Sequence, residues 1–504
     1  MKRFTLTLAS LVLLGAPGLA ACGPKKPEPT AVVAPPAPPP DPNAWRATVP
    51  PPGPERAWTA PVAKTFSLSN GIPVYLVEQG DLPLVSVRLN MTIGRESNPK
   101  GKAGLGALTA SMLDEGTKTR DSSTIAADAA KLGAELGINA GDENVVVALD
   151  ALTGETLGPS LDLLADVVLH PKLDKADFSR VQGDTIAAIQ AAKSEPNDAA
   201  RRVFLSQLWG ADHPYGVPAV GTETSVKALK LADVAKAYKD NWHAGNAAFV
   251  VSGKIDLEAL KAHLDSRFGA WKKGTGARPP VAAPASLLKP RVVFKEQPGS
   301  VQSVLRVGAP AVARSNPDYW QDQVAVTLVG GMFSSRLNMA LREEKGWSYG
   351  AYAGMSDSRD FGIVQARGSV QADKTAESVA VVLDELAKQT ARVPTDAEMK
   401  LTHDSLVKSL PGNFESNAAT AGAFLQVPQY GLSVDAWQSY GAKVNGVDAA
   451  ATATASKALL DPAHMLVVVV GPRTVEIAGA DGAKSTVDVV ESLKKLGYEF
   501  VEAR

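Results

Sequence analysis

Two unlike markers recur in this 504-residue chain at the same separation. Ser97-Asn98-Pro99 follows the strand-like "LVSVRLNMTIG", and Ser315-Asn316-Pro317 follows the strand-like "VQSVLRVGAPAV". The buried-type run "NAAFVVSGKI" (246–255) matches "HMLVVVVGPR" (464–473), each ending its apolar stretch at a glycine. Ser97 to Gly253 spans 253 − 97 = 156 residues, and Ser315 to Gly471 spans 471 − 315 = 156, so both markers shift by 218. The chain therefore has to fold as two copies of one unit of roughly 210 residues. Within each copy, strand and helix patterns cluster instead of alternating. "KTFSLSNGIPVYLVE" is a hairpin turned at Asn70-Gly71, and "TIAADAAKLGAELG", "ETLGPSLDLLADVVL" and "DFSRVQGDTIAAIQAAKS" read as helices. The expected class is α+β: two tandem homologous domains, each a mainly antiparallel sheet with helices packed on one face. The domains span 61–272 and 291–504, and the Pro- and Gly-rich 273–290 links them. In both Ser-Asn-Pro triplets, Pro stands where a helix could start after an Asn cap.

The N-terminus has a different character. "MKRFTLTLASLVLLGAPGLAAC" places Lys2 and Arg3 before an apolar run and small residues, a secretory signal pattern. Its end, Leu19-Ala20-Ala21-Cys22, resembles the bacterial lipobox. That resemblance implies cleavage before Cys22, the only cysteine, and lipid attachment to its sulfur. Residues 1–22 are thus expected to be a lipoprotein signal. The Pro-rich 23–60 would be an extended tether lifting the folded part off a bacterial membrane, facing the periplasm. Gly23 is not the Asp that often retains lipoproteins at the inner membrane, which favours the outer one. No later segment reads as long and apolar enough to span. The net charge of −1 gives no case for nucleic acid or an anionic surface.

"AGLGALTASMLDEGT" (103–117) reads as a short helix ending at Gly116. Leu105, Leu108 and Met112 share one face. Ala107, Ala110 and Ser111 share another that is oddly bare. Asp114 and Glu115 follow as an acidic helix end. The six histidines include no two within five residues, and no nucleophile motif or P-loop is present. His213, in "HPYG", reads as a structural loop residue.

These stretches resemble the insulinase/pitrilysin-like family of zinc peptidases, the group that includes mitochondrial processing peptidases. The resemblance runs over about residues 60–500. It is carried by "SNGIPVYLVE", the helix just quoted, "HPYGVPAVGTETSVKAL" (213–229), "GGMFSSRLNMALREEKGWSYGAYA" (330–353), "SLPGNFESN" and "YGLSVDAW". Aligned on Gly104-Leu105, Met112 and Gly116-Thr117, the family's first zinc-ligand His falls on Ala107. Its catalytic Glu falls on Ala110, its second His on Ser111, and its third ligand, a Glu on a later helix, on Ala188. Zinc peptidase chemistry needs three side-chain donors and a carboxylate base beside the bound water. Alanine has no lone pair to offer.

The second half keeps more of the pattern. The family's Arg and Tyr, seven residues apart and implied to bind substrate and stabilise the transition state, fall on Arg342 and Tyr349. Both can donate to a peptide carbonyl or developing oxyanion. Read without the family, Arg342 could cap a helix or pair with nearby acids, and Tyr349 could fill core beside Trp347. The resemblance implies a lipid-anchored, non-catalytic homologue with no metal of its own. It would lend Arg342 and Tyr349 to an H-x-x-E-H subunit that carries the zinc, and act on an extended peptide. The alternatives are a peptide-binding scaffold of the cell envelope, and an active zinc endopeptidase with unconventional ligands.

Overall fold

The computed structural model describes residues 43–51, 53–54, 57–274, 278–284, 290–478 and 484–503. Cys22, the signal segment, the first part of the tether and parts of the 273–290 linker lie outside them. The chain divides into Met1–Ala57 and a compact unit, Trp58–Arg504. The former shows one short 3-10 turn, Ala44–Ala47; the rest of this section concerns the latter.

Its first half holds strands β1 (Lys64–Ser67), β2 (Pro73–Glu78), β3 (Leu84–Met91), β4 (Glu135–Ala140), β5 (Val145–Leu152) and β6 (Ala247–Gly253). Its helices are α1 (Leu105–Ser111), α2 (Ser122–Leu132), α3 (Leu157–Leu169), α4 (Lys175–Ser194), α5 (Pro196–Trp209), α6 (Glu223–Ala228), α7 (Leu231–Asn241) and α8 (Leu257–Phe268). The second half holds β7 (Arg291–Glu296), β8 (Gln302–Ala311), β9 (Ser348–Met355), β10 (Gly362–Gln371), β11 (Leu466–Gly471), β12 (Thr474–Ala478), β13 (Lys484–Asp488) and β14 (Glu499–Glu502). Its helices are α9 (Tyr319–Val326), α10 (Arg336–Asn338), α11 (Thr375–Thr390), α12 (Asp396–Ser409), α13 (Asn417–Phe424), α14 (Gln426–Tyr430), α15 (Tyr440–Asn445), α16 (Ala449–Leu459) and α17 (Val489–Lys494).

Two six-stranded sheets result, ordered β1-β2-β6-β3-β5-β4 and β14-β7-β11-β8-β10-β9. The duplication is visible strand by strand. β2 begins at Pro73 and β7 at Arg291, and 291 − 73 = 218. β3 and β8 keep the same offset, from Leu84 to Gln302. Both central strands, β6 and β11, are buried along their whole length and run parallel to β2 and β7. The copies part company at one edge. β1 is the first arm of a hairpin, antiparallel to β2, whereas the C-terminal β14 lies parallel to β7. Gly71, at φ +88°, supplies the left-handed residue of the β1–β2 turn, as Asn70-Gly71 foretold.

Each half lays its own helices on one face of its sheet. Leu161, Leu164, Leu260 and Leu264 cover the first, and Val379, Leu383 and Leu386 cover the second. The opposite faces are covered reciprocally. Phe204, Leu205 and Leu208 of α5, with Trp209, pack onto Val293, Val304, Val468 and Val470 of the second sheet. Phe424, Val427 and Trp437, from the second half, pack with Val77 and Val250 of the first. Burying each such side chain contributes about 1.5–3 kcal/mol, so the exchange holds the halves together.

Several local expectations are revised. α2 stops before Gly133, which takes a left-handed C-cap at φ +64°, so Glu135, Leu136 and Gly137 belong to β4 and not to the helix. The first Ser-Asn-Pro does not open a helix at Pro99. α1 starts at Leu105, and Asn98 reaches forward to accept from the Gly106 N–H at 2.8 Å. The run Tyr319–Glu344 is long and apolar enough by length and composition to cross a membrane, but 72% of its apolar window is buried inside the protein.

Candidate functional site

Helix α1 lies over β4 and between α4 and α7. Its Leu105 and Leu108, with Met112 just past its end, meet Phe178 and Val181 of α4 and Val234 of α7. Its entry is set by backbone contact. Gly104 sits at φ +94°, and a Cβ there would lie 2.7 Å from the Val220 carbonyl. Gly221, at φ +81°, would collide with the Ala103 carbonyl in return. Two glycines thus let the 213–229 loop close on the start of α1.

The bare face divides in three dimensions. Ala107 is half-buried and Ser111 exposed, whereas Ala110 turns into the core beside Leu113. A helix seven residues long, laid across a strand, buries the residues nearest the sheet, which places Ala110 below the face that Ser111 shows to solvent. Ala188 is exposed on α4. The helix also ends earlier than Gly116 suggests: Ser111 is its last residue, and tighter bonds from the Met112 and Leu113 N–H groups close it. The acidic end is not free either. Glu115 binds Arg180 of α4, and burial pushes the Asp114 carboxyl above its ordinary range. Two methyl groups, a neutral hydroxyl and a third methyl do not fit a zinc ion.

Arg342 and Tyr349 occupy the other half. Arg342 stands in a wide helical turn, Met339–Glu344, with its guanidinium 4.8 Å from the Phe333 ring centre and 3.2 Å from Glu343. Tyr349, on the edge strand β9, is 88% exposed and does not fill core beside Trp347. A register shift opposite it, between Gly368 and Val370, accompanies this outward position. His213 is structural, as expected. It stacks on Trp209 at 5.1 Å, accepts from the Tyr215 N–H at 3.0 Å and lies 3.0 Å from the Ala282 carbonyl.

Sequence reasoning missed the cavity. About 370 Å³ opens between the β4–β5 turn, α5 and the strands β8 to β10. At one end lies a buried polar clasp. Glu143 accepts from the Tyr215 hydroxyl, from Ser358 Oγ at 2.7 Å and from the Arg359 N–H at 2.9 Å. Burial, and then Glu143, push the Tyr215 phenol far up, so it stays a proton donor. Arg278 of the linker joins Glu96 at 2.8 Å to Asp360 at 2.5 Å. On the wall stand Arg201, Arg306, Arg367 and Tyr352. Neither Arg342 nor Tyr349 lines this cavity, and neither does any residue of α1. The signal available in the sequence was the pair of arginines set among apolar strand residues in "QSVLRVGAPA" and "GIVQARGSVQ".

Comparison with known proteins agrees with this architecture. The sequence family described as Insulinase (Peptidase family M16) matches residues 74–222, and that described as Peptidase M16 inactive domain matches residues 228–406. An uncharacterized zinc protease of Mycobacterium leprae is 25% identical over 349 residues, covering 69% of this chain and 78% of its own length. A Helicobacter pylori protein named as a non-peptidase homolog is 22% identical over 282 residues, covering 56% and 64%. The crystal structure of a peptidase M16 inactive domain from Pseudomonas fluorescens superposes with a TM-score of 0.76 at 25% identity, over 81% of this chain and 98% of that one. A protease from Helicobacter pylori superposes at 0.75 with 16% identity, over 82% and 100%. With its duplicated sheets and both halves matched in order, this chain belongs to the insulinase, or M16, peptidase family.

Proposed function

We propose that this chain is a non-catalytic insulinase-type subunit. It lends Arg342 and Tyr349 to a homologous zinc-bearing subunit that cleaves extended peptides. The observation that carries this reading is the contrast between the two halves: alanines and a serine at the family's zinc-site positions, against an 88%-exposed Tyr349 with Arg342 retained seven residues before it. An Arg and a Tyr facing solvent can hydrogen-bond a substrate carbonyl and the oxyanion that forms from it. The metal, its bound water and the base would belong to the partner. Lipid on Cys22 would hold the complex at the bacterial envelope, facing the periplasm and preferentially at the outer membrane.

The test is to purify the chain with and without an H-x-x-E-H homologue and to measure peptide cleavage. The complex should cleave and this chain alone should not. Arg342→Ala in the complex should lower kcat/KM by at least about tenfold, the loss expected for one donor to a developing charge. An unchanged kcat/KM would sink the complementing role. Metabolic labelling with a fatty acid, lost in Cys22→Ser, tests the anchor.

A second reading, a peptide-binding scaffold without proteolysis, draws on the 370 Å³ cavity and the unpaired edges of β4 and β9, where a strand could add. It predicts peptide affinity and no cleavage with any partner.

A further inference from the structure

We infer that the cavity between the two halves recognises a carboxylate-bearing, acidic stretch of the bound peptide, through Arg306 and Arg367. This rests on the peptide-binding role common to both readings above. Arg306 of β8 and Arg367 of β10 are direct cross-strand partners on one sheet face, and Tyr352 of β9 is the next residue in the same row. Like charges set directly opposite each other on paired strands are destabilising.

The first half holds its equivalent arginine with an acid. Arg88 of β3 is the counterpart of Arg306 under the 218-residue shift, and its cross-strand partner is Ala148. Arg88 is held by both carboxylate oxygens of Asp150 at 3.0 Å. In the second half, arginine stands opposite arginine instead. Among the described residues, Arg306 donates only to neutral groups, Gln365 Oε1 at 2.7 Å and the Asn197 carbonyl at 3.2 Å, and its buried Nε has no partner there. Arg367 is exposed to the cavity and makes no ion pair among the described residues.

The cavity's own carboxylates are already engaged. Asp142 binds Arg201 at 3.1 Å and lies 3.6 Å from Arg95. Glu143 is taken up by the clasp. Asp357 accepts from the Tyr319 hydroxyl at 2.6 Å. Two guanidinium groups therefore face the cavity with no ion pair of their own among the described residues. Burial, and then the repulsion of Arg367 and Arg201, lower Arg306 to about 10, against a smaller opposing pull from Asp198. Beside the pair, Gly354 leaves open space where a side chain would stand. Arg presents a planar fork that matches a carboxylate, so the ligand group this site fits is an Asp or Glu side chain of an extended segment.

The test uses the purified full chain and three fluorescein-labelled extended peptides of one length, carrying Glu, Gln or Lys at alternate positions. Anisotropy titrations at low salt should give a Glu peptide bound about tenfold more tightly than the Gln peptide, and the Lys peptide weakest. Arg367→Gln should bring the Glu peptide to the Gln peptide's affinity and leave the latter unchanged, without lowering the melting temperature. Arg367→Glu should reverse the preference toward Lys. A Lys peptide bound as well as the Glu peptide, or a preference that survives both variants, would overturn the inference while leaving peptide binding intact. Failure of all three peptides to bind would overturn the peptide-binding reading itself.

Discussion

Replacing Arg278 with alanine should destabilise the protein in a pH-dependent way. The Glu96 side chain is only 1% exposed and that of Arg278 15%, while Asp360, at 26%, retains some water. Removing one partner of a buried ion pair typically costs 3–5 kcal/mol, and because Asp360 can rehydrate, about 3 kcal/mol is expected near neutral pH. Burial already raises the Glu96 carboxyl, and Arg278 is the largest influence opposing it. A carboxyl raised on folding contributes stability that is fully present below its unfolded range and is lost as pH rises through its folded value. Without Arg278 that folded value climbs further, and Glu96 becomes a neutral acid in the folded state at mildly acid pH. The variant's deficit should therefore be small near the unfolded carboxylate range and full near neutrality. Urea midpoints at the two pH values measure it. Glu96→Gln, added to Arg278→Ala, should recover most of the loss, because the orphaned charge is gone. An equal deficit at both pH values, or no recovery in the double variant, would refute the buried-charge account.

Phe204→Ala and Phe424→Ala remove rings that are 1% and 0% exposed, each packed with core residues of the other half's sheet, and each should cost about 3–5 kcal/mol by urea denaturation. Either loss should show in the single global transition, not in a partial unfolding of one half. Asp322 is 6% exposed on α9, and burial pushes it up to about 6. Its contribution is present below its ordinary value of 3.8 and is lost as pH rises through about 6. Asp322→Asn should thus stabilise the protein above that pH, by up to about 3 kcal/mol, and leave stability in acid little changed. Gly104→Ala would put a Cβ 2.7 Å from the Val220 carbonyl at a positive φ, so a loss of about 1–3 kcal/mol is expected, with the 213–229 loop opening to limited proteolysis.

Much of the scaffold was legible because it rests on local signals. Strands such as 246–255 and 464–473 announce themselves by continuous burial-type residues, and the Asn70-Gly71 turn by its backbone freedom. The equal spacing of two unlike markers is a property of the chain that no folding step alters. Helix ends were read less well. Gly133 looks like any helical glycine until its left-handed φ is seen, and Asn98 accepts from the first turn of a helix that begins seven residues later. Ala110 reads as part of a bare face, because periodicity gives the angle of a residue around its helix and not the direction from which the sheet arrives.

Sequence alone determined the duplicated α+β unit, the family resemblance, and the spacing of the six histidines, no two of which fall within five residues. These depend on residue identity and spacing. Tertiary structure decided the rest. The apolar residues of α5 require that the helix be covered, but only the fold shows that the other half's sheet covers it. Arg88 and Arg306 are equivalent in the repeat and alike in the sequence. Asp150 neutralises the first, while the second faces Arg367 across a strand. Charge acts through distances of a few ångströms, and those distances arise between strands far apart in the chain. That is why one arginine became structural and the other faces a cavity.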